Sequence, residues 1–304
     1  MHLRTRIISL LAAVVAATAI SCSSPSGSPA AGGPKATLSI VAGESFWGSI
    51  ASQLAGTAAR VTSVVSDPSI DPHQYESSSD NARAFATADY VIVNGAGYDS
   101  WATKLLAGNP NPKRKVTVVA EVLGKHDGDN PHFWYQPDYV TAITDRIEAD
   151  LKALDPAASG YFDAQRAAFD QASKPYRDLL AGIKAGHANA PVAATESIFV
   201  YLADYLGLRL LSPPDFMLAV AEGNDPPAAA VGTFMDLLTN KQVKVLVYNL
   251  QTATSVTSNL KKLASDQAVP TVGITETIQP ATDTFEHWQA TQLQQLEAAL
   301  AGSR

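Results

Sequence analysis

Seven short apolar runs rich in β-branched residues recur along this chain, at 37–42, 60–65, 89–94, 115–120, 191–195, 243–249 and 269–274. Longer alanine- and leucine-rich stretches alternate with them. Most of the runs are nearly continuous in apolar residues and do not alternate strictly with polar ones. That pattern suits strands buried on both faces of a parallel sheet. Strand followed by helix, repeated, predicts an α/β protein with mainly parallel β-sheets flanked by helices.

The middle of the chain breaks this rhythm, with no plausible strand from Asp138 to Lys184. One helix is predicted to open at Pro137 and to stop at Asp155-Pro156. A second, long helix is predicted over 156–186, with Gly160 and Pro175 as its weak points. Four strand candidates precede this helical stretch and three follow it. The expected arrangement is two α/β lobes, 37–155 and 187–304, joined by the long rigid helix and separated by a cleft. No short-period repeat is present.

The first residues read differently. Arg4 and Arg6 precede an uninterrupted apolar run over 7–20, about the length of a signal-peptide core and short for a membrane span. The run ends at Cys22, the only cysteine in the chain, which therefore has no internal disulfide partner. Small residues just before it resemble a bacterial lipobox, although Ala19 stands where leucine is commoner. On that reading residues 1–21 are a lipoprotein signal peptide, and the acylated Cys22 anchors an extracytoplasmic protein to the bacterial cell membrane. The competing reading is an ordinary signal peptide with an incidental cysteine. Residues 22–36 are rich in Ser, Gly and Pro and read as a flexible tether. Removing Arg4 and Arg6 moves the formal charge from −7 to −9, which argues against nucleic acid and against a basic lipid-binding patch.

In open parallel sheets ligands bind beyond the carboxyl ends of strands. Metal-capable side chains do follow the strand candidates there. His73 follows 60–65, and His132 follows 115–120 after a short polar loop. Glu196 comes directly after 191–195, and Glu276 two residues after 269–274. The first lobe thus offers two imidazoles and the second two carboxylates, which a cleft between the lobes would bring together. Taken singly, each has a plainer reading: a surface-loop histidine, a helix N-terminal acid at Glu196, a solvated loop acid at Glu276. His126, His187 and His287 read as surface residues. Glu76 and Asp80 read as turn and N-cap residues, with Asp80 opening the helix after His73. The four tryptophans read as packing residues, with Trp134 a possible wall of the site.

The segments DPHQYESSSD, NPHFW, ATESIFVYLADYLGL and VPTVGITETI resemble, in order and spacing, the four ligand segments of the cluster A-I metal-binding proteins. These are the substrate-binding lipoproteins of zinc and manganese ABC importers. The resemblance extends over residues 37 to 300. It implies His73, His132, Glu196 and Glu276 as metal ligands. It also implies an ABC permease with a separate ATPase as partner, one divalent metal as transported ligand, and a monomer. Glu196 stands where zinc members typically carry histidine and manganese members glutamate. Glu276 stands where aspartate is commoner. The segment YESSSD lacks the usual prolines, and Gln136 replaces the usual aspartate after the NPHFW segment. The loop carrying His126, Asp127 and Asp129 is far shorter than the histidine-rich loop of many zinc members.

The donor types agree. Two imidazole nitrogens with up to four carboxylate oxygens favour manganese or iron(II) on hardness, while zinc would bind the same groups tightly. Unperturbed imidazoles predict that affinity falls below about pH 6. A metallohydrolase is disfavoured, because the sequence holds no HExxH, GxSxG or GxxxxGK[ST] motif. A surface adhesin or structural lipoprotein is the alternative.

Overall fold

The computed structural model describes residues 33–302; the predicted signal peptide, Cys22 and the tether as far as residue 32 lie outside the described residues. The first sheet contains β1 (Leu38–Glu44), β2 (Ala59–Val65), β3 (Tyr90–Val93) and β4 (Lys115–Val118), in the order β2-β1-β3-β4. The second contains β5 (Pro191–Ala194), β6 (Arg209–Leu210), β7 (Val245–Asn249) and β8 (Thr271–Ile274), in the order β6-β5-β7-β8. Every pairing is parallel. All seven predicted strands are present. The two-residue β6 was not expected, being too short to carry a period.

Burial explains why the runs are apolar. Every residue of β3 and of β7 is buried, whereas edge strand β2 alternates between half-buried and exposed positions over its first four residues. The two sheets share one connectivity. In each, the chain turns first to one side of the starting strand and then to the other. The crevices between β1 and β3, and between β5 and β7, are therefore the topological switch points where ligands bind in such sheets.

The helix Ser45–Ala55 leaves the end of β1 directly and buries Phe46, Trp47, Ile50 and Leu54. It stops at Gly56, whose φ is +52°, and a Cβ there would collide with the Tyr161 hydroxyl and the Gln165 amide. Only glycine fits both the left-handed backbone and that close approach.

The central helical stretch begins as expected, with one helix over Pro137–Leu154. The second differs from expectation. It forms two helices, Ser159–Ala172 and Lys174–His187, divided at Ser173. Pro175 accounts for the division, because it has no N–H to continue the ladder and its ring crowds the preceding turn. Gly160 interrupts nothing. The helix Ser159–Ala172 packs on Ser45–Ala55, and Lys174–His187 packs on the C-terminal helix Phe285–Gly302. One apolar cluster runs through both sheets, from Ile40 and Trp47 to Val247 and Leu296. Each fully buried aliphatic or aromatic side chain contributes roughly 1.5–3 kcal/mol, so a hinge cutting this cluster would be costly. Among the described residues no helix is long and apolar enough to cross a membrane.

Candidate metal centre

His73 sits in a single turn, Pro72–Gln74, beyond the carboxyl end of β2. The local sequence dictates that turn. Asp71 caps it by accepting from the His73 backbone N–H at 3.0 Å. Pro72 supplies the fixed φ that suits the first turn position.

His132 precedes the turn Phe133–Tyr135, after β4. Its Nδ1 lies 2.7 Å from Oδ1 of Asn130, which also accepts the His132 backbone N–H at 3.1 Å. Trp134 walls the site as anticipated, meeting His132 in an edge contact with ring centroids 5.2 Å apart and stacking on Phe46 at 3.8 Å.

Glu196 follows β5 and caps the turn Ser197–Phe199, so its plainer capping role is real. Oε2 accepts from the Ile198 N–H at 3.1 Å, and Oε1 accepts the Ser197 hydroxyl at 2.8 Å. Capping also fixes the direction of the carboxylate, whose Oε1 lies 3.7 Å from His132 Nε2.

Glu276 follows β8. Its Oε2 is 3.1 Å from Nε2 of His73 and 3.8 Å from Nε2 of His132, and it accepts the Tyr98 hydroxyl at 2.7 Å.

The structure therefore sets Glu276 against both histidines and Glu196 against His132. Among the described residues, His73, His132 and Glu196 form the one group of three metal-capable side chains whose donor atoms lie mutually within 4.8 Å. His132, Glu196 and Glu276 are fully buried, and only His73, 18% exposed, is open to solvent. His132 Nε2 is buried without a hydrogen-bond partner, and buried His73 Nε2 meets only Glu276 Oε2, at 3.1 Å. Buried polar atoms are rarely left so, and here the two converge with carboxylate oxygens in the geometry that a cation would satisfy.

The electrostatics point the same way. Burial favours a neutral Glu276, but His73 and His132 outweigh it and hold the carboxyl well below its ordinary value. Burial would lower His73; Glu276 chiefly, then Glu196 and Asp71, overcome it and push the imidazole up to about 9. Burial, and then Glu276, raise the Tyr98 phenol, so it stays a neutral donor. In the metal-free protein a protonated His73 thus supplies positive charge where a cation would sit.

The remaining histidines stay apart from the cluster. His126 is exposed, His187 is half-buried, and His287 pairs with Asp283 at 2.7 Å. Asp80 does not open the helix after His73. Ser78 caps the helix Ser79–Thr87 in a reciprocal box with Asn81, because it is the hydroxyl of Ser78 that reaches the Asn81 N–H. Sequence reasoning missed Tyr98, Asn130, Asn249 and Gln251. Asn249 donates to both Glu196 Oε2 (3.1 Å) and Glu276 Oε1 (2.8 Å). Gln251 accepts from the backbone N–H groups of Glu276 (2.7 Å) and Thr277 (2.9 Å) and donates to the carbonyl of Ile70 (2.7 Å). A search for polar residues ending the central strands would have found Asn249, which closes β7.

Comparison with known proteins places the fold and the family. The manganese-binding lipoprotein MntA of Bacillus subtilis is 23% identical over 220 residues, covering 69% of this chain and 70% of that one. The iron-binding protein YfeA of Yersinia pestis is 26% identical over 170 residues, and there the alignment spans about half of each chain (53% and 54%). In fold, the manganese-bound periplasmic metal-binding protein of Candidatus Liberibacter asiaticus superposes with a TM-score of 0.70 at 18% identity, covering 86% of this chain and 99% of that one. The crystal structure of ZnuA gives 0.68 at 20% identity, with the same coverage. The family model described as zinc-uptake complex component A, periplasmic, matches residues 40–299. With nearly the whole described chain inside that match, this protein belongs to the zinc-uptake component A family.

Proposed function

We propose that this chain is an extracytoplasmic solute-binding lipoprotein, anchored through Cys22, that captures one divalent transition metal with His73, His132, Glu196 and Glu276. It hands the ion to an ABC permease driven by a separate ATPase. The observation that carries the reading is the pair of buried Nε2 atoms facing two buried carboxylates at the strand ends. Membership of the zinc-uptake component A family supports it, as do relatives named for manganese and iron. The chain acts as a monomeric carrier, not a catalyst. Its functional units are the lobes 37–155 and 187–304 and the helical link 156–186.

Manganese, iron(II) and zinc all suit two nitrogens and two carboxylates. The test is metal analysis of protein purified gently from its host, together with titration of stripped protein. About one ion per chain is expected, with Glu196→Ala weakening binding at least ~tenfold. A protein that holds no metal, as a pure adhesin would, contradicts the proposal.

A further inference from the structure

This inference rests on the metal-capture reading and concerns which ion the site prefers. Asn249 is the last residue of β7 and is 1% exposed. Its Nδ2 donates to one oxygen of each carboxylate, Glu196 Oε2 at 3.1 Å and Glu276 Oε1 at 2.8 Å. Its Oδ1 accepts from the Gln251 N–H at 3.0 Å, so flipping the amide would break all three bonds.

A carboxylate oxygen has two lone-pair sites. Those of Glu196 Oε2 are taken by Asn249 and the Ile198 N–H. The oxygens nearest the imidazoles, Glu196 Oε1 and Glu276 Oε2, each accept one hydroxyl, from Ser197 and Tyr98. Each therefore keeps one site facing an imidazole, His132 Nε2 at 3.7 Å for Glu196 and His73 Nε2 at 3.1 Å for Glu276. Two such oxygens and the two Nε2 atoms make four donors. Four is the number zinc takes in closed sites, whereas manganese favours six, mostly oxygen.

We infer that Asn249 sets the ion preference of this site: by clipping the outer oxygen of Glu196 and of Glu276 it holds the donor set at four and favours zinc over manganese. Without the clip, Glu276 keeps only the Tyr98 hydroxyl on Oε2 and is free to turn its second oxygen inward, while Glu196 keeps the Ile198 N–H and the Ser197 hydroxyl. The donor set then grows toward the number manganese requires.

The experiment compares the wild type with Asn249→Leu, which keeps the volume and removes the amide. Zinc and manganese alone are titrated in competition with a metal-sensing chelator, and X-ray absorption counts the ligands around each bound ion. The zinc-over-manganese affinity ratio should fall at least ~tenfold in the variant, with more oxygen neighbours around manganese. A merely structural role would weaken both ions alike. A ratio within twofold of wild type overturns the inference. If Asn249→Leu fails to fold, Asn249→Ala is judged by the same ratio. A wild type that binds neither ion would instead sink the metal-capture reading.

Discussion

The side chain of Asn130 holds Nδ1 of His132 at 2.7 Å while its own Nδ2 donates to the Ser197 carbonyl at 2.8 Å. Because Oδ1 only accepts, the Nδ1 of His132 carries the proton and Nε2 presents its lone pair to the cluster. One asparagine thus sets a tautomer in the first lobe and ties it to the segment bearing Glu196 in the second. Removing such an orienting partner typically costs 10–100-fold in metal affinity. Asn130→Ala should lose about that much by calorimetric titration, with the stoichiometry unchanged. Wild-type affinity would show that the bond orients nothing.

The pH dependence differs from what unperturbed imidazoles predict. With His73 pushed up to about 9, metal must displace its proton throughout the neutral range. Affinity should therefore rise by about tenfold per pH unit from roughly pH 6.5 toward 9, with one proton released per ion. Calorimetry in buffers of differing ionisation enthalpy counts that proton. No proton released at pH 7.5 would contradict the assignment.

The same groups govern the metal-free fold. A raised His73 contributes stability that is fully present below its unfolded value of about 6.5 and is lost as pH rises through about 9. The lowered Glu276 contributes stability present above about 4.3 and lost as pH falls through its folded value. Melting temperatures of stripped protein should decline from pH 6.5 to 9, and His73→Gln should flatten that decline. Parallel curves for the two proteins would exclude His73 as the cause.

Glu44 closes β1 fully buried, with its carboxyl against that of Asp99 and no N–H or hydroxyl donating to it. Burial, then the nearby Asp99, push its carboxyl well above its ordinary value. A raised carboxyl loses stability as pH climbs from about 4.3 through its folded value. Glu44→Gln removes the ionisable group and can donate to Asp99, so it should raise stability at pH 7 by about 1–3 kcal/mol in urea melts. A loss of stability would show that the carboxylate has a partner that this account omits.

Gln251 connects the turn bearing Glu276 to the loop bearing His73, the one cluster residue open to solvent. On the metal-capture reading, the ion leaves past this loop. Each bond is worth about 0.5–1.5 kcal/mol, so Gln251→Met should release metal to a chelator at least ~tenfold faster. Hydrogen exchange over 66–78 should rise with it. An unaltered release rate would place the restraint elsewhere in the loop.

The sequence exposed the seven strands because burial on both faces leaves near-continuous apolar runs, and their carboxyl ends then located His73, His132, Glu196 and Glu276. It was silent on β6, whose two residues carry no period. It was equally silent on the hydrogen bonds that aim the cluster. Tyr98 meets Glu276 across 178 positions of chain, and Asn249 meets Glu196 across 53. A polar residue names its partner only when the fold has brought the two together. The break at Ser173 was half legible: Pro175 marked the place, while Gly160, an equal candidate on propensity, lies inside an unbroken helix.

The central claim is tested most directly by anomalous scattering from crystals of the stripped protein reloaded with zinc. One peak is predicted, about 2.0–2.2 Å from Nε2 of His73, Nε2 of His132, Oε1 of Glu196 and Oε2 of Glu276. No peak at that point, or a peak elsewhere with these four side chains unliganded, would contradict the account.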